Sequence, residues 1–105
     1  MKPYYEHAGI TIYHGDCREI IPTLEPVKAV VTDPPWPNCK VKFTEDDPLA
    51  LFREAAHLLP GRCDRLIVHL GCDTDPRFLL AVPDSFPFFR VCWLEYARCS
   101  YKGRL

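Results

Sequence analysis

Apolar positions along the chain fall in short runs cut off by Pro, Gly and Asp, and their period alternates between that of a strand and that of a helix. Ile10 to His14 is β-branched and aromatic and stops at Gly15-Asp16, which predicts a strand with an abrupt end. Cys17, Ile20, Ile21 and Leu24 then recur at helical spacing. Asp16, with Glu19 three residues on, suits the capping position of that helix, and Pro22 limits it to about two turns. Val27 to Thr32 is nearly all apolar, the signature of a strand covered on both faces. Asp47-Pro48 opens a second helix whose apolar face is Leu49, Phe52, Ala55, Ala56 and Leu59, closed by Pro60-Gly61. Leu66 to Leu70 predicts a third strand, Asp75-Pro76 a short helix to about Val82, and Phe88 to Tyr96 a fourth strand.

This alternation predicts an α/β fold with a mainly parallel, doubly wound sheet. In such sheets ligands bind beyond the carboxyl ends of the strands. Gly15-Asp16, Asp33 to Trp36, and Gly71-Cys72-Asp73 are therefore expected along one edge. His69 lies among Leu and Val and reads as a core histidine, and Asp73 and Asp75 read as helix caps. Trp93 and Tyr96 belong to the fourth strand, buried or amphipathic.

Composition narrows the class. A chain of 105 residues with 48% hydrophobic residues is globular, and no apolar stretch approaches the ~20 residues of a membrane span. The first residues lack the apolar core of a secretory signal, so a cytoplasmic protein is expected. A net charge of -1 argues against a bulk polycation. Glu45, Asp46 and Asp47 are acidic, whereas Arg98, Lys102 and Arg104 make the tail over 97–105 basic. That tail is either a contact to nucleic acid or a solvated end, and Lys40 and Lys42 are either phosphate contacts or exposed lysines. The six cysteines contain no C-x-x-C pair, which excludes the usual zinc spacing and favours free thiols. Cys72 and Cys92 lie in apolar runs and are expected to pack as small hydrophobes.

The densest chemical signal is Asp33-Pro34-Pro35-Trp36, directly after a strand. Proline fixes φ and donates no N–H, so the loop is stiff and rich in acceptors. A residue before proline is pushed toward extended backbone, which aims the Asp33 carboxylate away from the strand. The carboxylate and the Pro34 carbonyl can take the two hydrogens of an exocyclic amine while the Trp36 indole stacks on the ring that bears it. Holding that weakly nucleophilic nitrogen in line with a methyl donor, and stabilising the charge it develops, would promote N-methylation.

Tyr13-His14-Gly15-Asp16-Cys17 followed by Val30-Val31-Thr32-Asp33-Pro34-Pro35-Trp36 resembles the opening of bacterial and phage DNA amino-methyltransferases of the N6-adenine and N4-cytosine type. The resemblance implies a Rossmann-like S-adenosylmethionine-dependent methyltransferase fold. It assigns amine capture to Asp33, Pro34, Pro35 and Trp36, and contact with the cofactor's adenine to Asp16 in its Gly15-Asp16 pair. The implied partner is double-stranded DNA with the target base flipped out, adenine N6 before cytosine N4. Asp16 as a simple helix cap remains an equal reading.

The resemblance covers 10–96 in pattern and is specific over 13–36. The family's glycine-rich strand-to-helix turn has no counterpart among Gly9, Gly15, Gly61, Gly71 and Gly103. The expectation is a single partial methyltransferase domain over 1–105, the catalytic half of a circularly permuted enzyme and inactive alone. An incomplete sheet would offer its edge to a second copy, as a homodimer. Two rival functions remain. One is N-methylation of RNA or of a protein amide, whose enzymes usually show Asn at the position of Asp33, although some RNA adenine methyltransferases also carry Asp-Pro-Pro-Trp. The other is a non-catalytic α/β binding module.

Overall fold

The computed structural model describes residues 1–37 and 47–95. Cys39, Cys99, Lys40, Lys42, Glu45, Asp46, Tyr96 and the basic tail lie outside the described residues.

The chain is α/β, with one antiparallel and one parallel strand pair. Strand β1 (Tyr5–His7) pairs antiparallel with β2 (Ile10–Ile12), with His7 opposite Ile10. The two-residue turn between them has positive φ at both positions, 50° at Ala8 and 79° at Gly9. This is the sense of twist a tight hairpin requires, and Ala8 adopts it against its own preference. The expectation that residues 10–14 form a strand of the parallel sheet is thereby corrected. That strand is shorter and its hydrogen bonds go to Tyr5–His7, a partner too short and too polar to show a strand period.

Helix α1 (Cys17–Ile20) starts at Asp16, whose side chain accepts from the Arg18 backbone N–H at 2.9 Å. The capping bond thus falls one residue short of Glu19. At Pro22 the helix tightens into a 3₁₀ turn, Ile21–Thr23. Strand β3 (Val27–Thr32) leads through α2 (Pro48–His57) to β4 (Cys63–Val68), which lies parallel to it with Thr32 opposite Val68. Asp47 caps α2, accepting from Ala50 N–H at 3.0 Å, and Gly61 turns the chain at φ 75°. A 3₁₀ helix, Pro76–Ala81, is capped by Asp75.

The core is built on one face of β3 and β4. Phe52 and Ala56 of α2 are buried with Phe78 and Ala81, and Leu49, Val68, Leu70 and Val82 pack around them. The Phe52 and Phe78 rings stack at 4.8 Å between centroids. The opposite face stays open among the described residues, with Val31 72% and Ile67 52% exposed. Full apolarity of 27–32 therefore overstated its cover: among the described residues helices lie on one side only. Residues 88–95 form no strand, and Trp93 is 84% exposed. The predicted fourth strand is absent from the described residues because no neighbouring strand supplies its hydrogen bonds.

The described cysteines, Cys17, Cys63, Cys72 and Cys92, are free thiols. Cys72 and Cys92 are exposed, contrary to the packing expected of them, since the runs holding them are loops. Burial pushes the Cys63 thiol up. Among the described residues no helix is long and apolar enough to cross a membrane.

The aromatic stack should be the main point of cohesion. Phe78→Ala is expected to lower unfolding free energy by about 3–5 kcal/mol, measured by urea denaturation followed by circular dichroism.

Candidate functional site

The parallel register assembles the site. With Thr32 opposite Val68, the next residues of the two strands, Asp33 and His69, fall side by side. The ladder closes with His69 N–H donating to the Thr32 carbonyl at 2.9 Å. Side chains alternate across a sheet, so Asp33 and His69 rise from the same side. Their contact follows: His69 Nδ1 is 3.3 Å from Asp33 Oδ1. The Asp33 side chain is 63% exposed and His69 41%. His69 is therefore no core histidine. The apolar run ends in a strand terminus, where the side chain meets solvent and a carboxylate.

Pro34 is buried and anchors the loop, while Pro35 and Trp36 are half-buried. The Trp36 indole N–H donates to the His69 carbonyl at 3.3 Å, and the indole and imidazole meet edge to face at 6.0 Å. Behind the indole is Gly71, where a Cβ would lie 3.0 Å from the Trp36 Cζ3. A side chain at that position would press on the ring, which would have to give by a few tenths of an ångström. Asp33 and Trp36 are thus each tethered to His69, one through its side chain and the other through its backbone.

A cavity of about 400 Å³ begins at Pro37, the residue after Trp36, and is not lined by Asp33, Trp36 or His69. Pro37, Leu49 and Phe78 form its apolar wall, and Asp73, Thr74, Asp75 and Arg77 its polar rim. Its volume is within the ~300–1,000 Å³ usual for small-molecule sites. No group of three His, Cys, Asp or Glu side chains suited to a metal occurs among the described residues.

Gly15 and Asp16 stand elsewhere in the topology, since the strand before them belongs to the hairpin. Of the three strand ends expected on one edge, two share the parallel sheet, those at Asp33 and at Gly71. The Asp16 carboxylate takes the Arg18 backbone N–H and its guanidinium, the latter at 2.6–3.1 Å, and Arg18 reaches on to Glu54 of α2 at 2.9 Å. These bonds, the guanidinium's first, hold the Asp16 carboxyl down at about 2. Asp75 is held at about 2 in the same way by Arg77.

His69 and Gly71 were missed as site residues in the sequence. Only strand register pairs position 69 with position 33, and register is a property of the folded sheet. Comparison with protein-family models, curated proteins and solved structures gives no match for this chain.

Two measurements probe this geometry. The extra methyl of Gly71→Ala must displace the indole, and the expected cost is about 1–3 kcal/mol, accompanied by a shift of the Trp36 indole N–H resonance. Asp16 and Asp75 have folded values near 2 against an ordinary 3.8. Their contribution is present above pH about 4 and lost as pH falls toward about 2. Tm should drop across that window, and less steeply in the double variant Asp16→Asn, Asp75→Asn. The difference should be small and salt-sensitive because the pairs are exposed.

Proposed function

We propose that Asp33, Pro34, Pro35 and Trp36 form an amine-gripping loop that presents an exocyclic nucleobase nitrogen for methylation. On this reading the chain is part of a DNA methyltransferase acting on adenine N6 or, second, cytosine N4. The observation that carries the proposal is an exposed carboxylate and an indole that both contact His69 at the carboxyl end of a parallel strand pair. The β3–α2–β4 unit is a building block of doubly wound sheets, which supports a Rossmann-like arrangement.

The chemistry is one of holding. An amine conjugated into a flat ring has two N–H donors and little free lone pair. Asp33 accepts one hydrogen and the Pro34 carbonyl the other, which orients the nitrogen and stabilises the positive charge it gains. The Trp36 face offers stacking to a base turned out of a duplex, against an unstacking cost of about a few kcal/mol. Bound S-adenosylmethionine would supply the methyl group from its sulfonium.

The cavity beside Pro37 has an apolar wall for that cofactor's carbon and the Asp73 side chain on its rim, while the Asp75 carboxylate there is bonded to Arg77. Asp16 suits it less, since its carboxylate is bonded to Arg18, and a cofactor amine would have to displace the guanidinium. A cytoplasmic setting belongs to the same reading, with the described thiols free.

The test is calorimetry with deoxyadenosine and with its purine analogue lacking the amine, in deoxy and ribo forms. The wild type should favour the amine-bearing base by about tenfold or more, and Asp33→Ala should remove the preference. A wild type that binds both alike overturns the reading. Transfer of labelled methyl groups from S-adenosylmethionine to DNA by this chain joined to a cofactor-binding half, lost in Asp33→Ala, would complete it.

A further inference from the structure

We infer that His69 is a positioning residue, which fixes the Asp33 carboxylate through a hydrogen on Nδ1 and leaves the second carboxylate oxygen to a ligand amine. The role in amine capture rests on the reading of the loop given above; the hold on Asp33 stands on geometry alone. At 3.3 Å from Asp33 Oδ1, a bare Nδ1 lone pair would face the negative oxygen and repel it. A hydrogen on Nδ1 converts the contact to attraction, and which ring nitrogen carries the proton is set by such a neighbour.

The backbone prevents His69 from adapting by drifting. Its N–H is in the ladder with Thr32 and its carbonyl accepts from Trp36. The imidazole is left with side-chain rotation only, and the edge-on indole restricts that rotation. Asp33 has its own reason to need a guide. Its side chain is exposed and, among the described residues, His69 is its one ion-pairing neighbour. An exposed carboxylate otherwise samples several rotamers, and a ligand amine would have to select one. With Oδ1 directed at His69, Oδ2 is presented in a defined direction.

The first test is the tautomer of His69, read from imidazole ¹⁵N shifts of the full chain at a pH where the ring is neutral. The Nδ1–H form should dominate in the wild type and give way to Nε2–H in Asp33→Ala. A wild type in the Nε2–H form overturns the inference, whatever the chain binds.

The second test sets two amide replacements against each other. Asn places its amide nitrogen where the imidazole Nδ1 lies, whereas Gln places it near Nε2. His69→Asn should keep the preference for deoxyadenosine over its amine-free analogue, and His69→Gln and His69→Leu should lose about tenfold of it, the scale of one hydrogen bond to a charged group. Equal losses in the Asn and Gln variants, with circular dichroism unchanged, would reduce His69 to a space-filling role and overturn its part in capture. If the wild type has the Nδ1–H form yet shows no preference for the amine, the amine-gripping loop fails while the hold on Asp33 remains.

Discussion

The hydrogen bond from His69 N–H to the Thr32 carbonyl, 2.9 Å long, is the constraint on which the candidate site depends. It is the last rung of the β3–β4 ladder. A slip of one residue would send every side chain of one strand to the other face. Asp33 would then lose His69, and the carbonyl that receives the Trp36 indole would move away. The proline pair stiffens the loop, but the ladder decides where the stiff loop starts. The apolar face of the same two strands keeps the register, because Val68 must face the Phe52–Phe78 core.

The sheet is unequal on its two sides, and the site lies on the less covered one. Helices and the aromatic core occupy the face of Val30, Thr32, Leu66 and Val68, while Val31 and Ile67 are open. Asp33 and His69 continue the alternation of the open face at the end of the strands. The same geometry that leaves Val31 exposed therefore keeps the carboxylate accessible. The buried aromatic layer and Pro34 hold the structure on one side, and the acceptor is presented on the other.

Asp16 and Asp33 show how one residue type takes different roles through its surroundings. Asp16 opens a helix, finds the Arg18 N–H and guanidinium within reach, and has its acceptors taken by its own chain. Asp33 is followed by two prolines, so neither of the next two residues offers it an N–H, and no helix starts there. Among the described residues its carboxylate has one imidazole beside it. The capping reading of Asp16 needs only local sequence, whereas the surroundings of Asp33 come from a strand more than thirty residues away.

Local signals in the sequence were sufficient where the physics is local. The α2 face of Phe52 and Ala56, the caps at Asp16, Asp47 and Asp75, the stop at Asp33-Pro34 and the outward carboxylate all follow from nearest-neighbour sterics and helical period. Tertiary structure decided the rest. The Ile10 strand turned to a short polar partner through an Ala8-Gly9 turn, and among the described residues β3 was covered on one face rather than two. Residues 88–95 stayed without a strand, and His69 met Asp33. Each of these depends on which strand supplies hydrogen bonds to which, and at what offset, and hydrophobic periodicity carries no information about either.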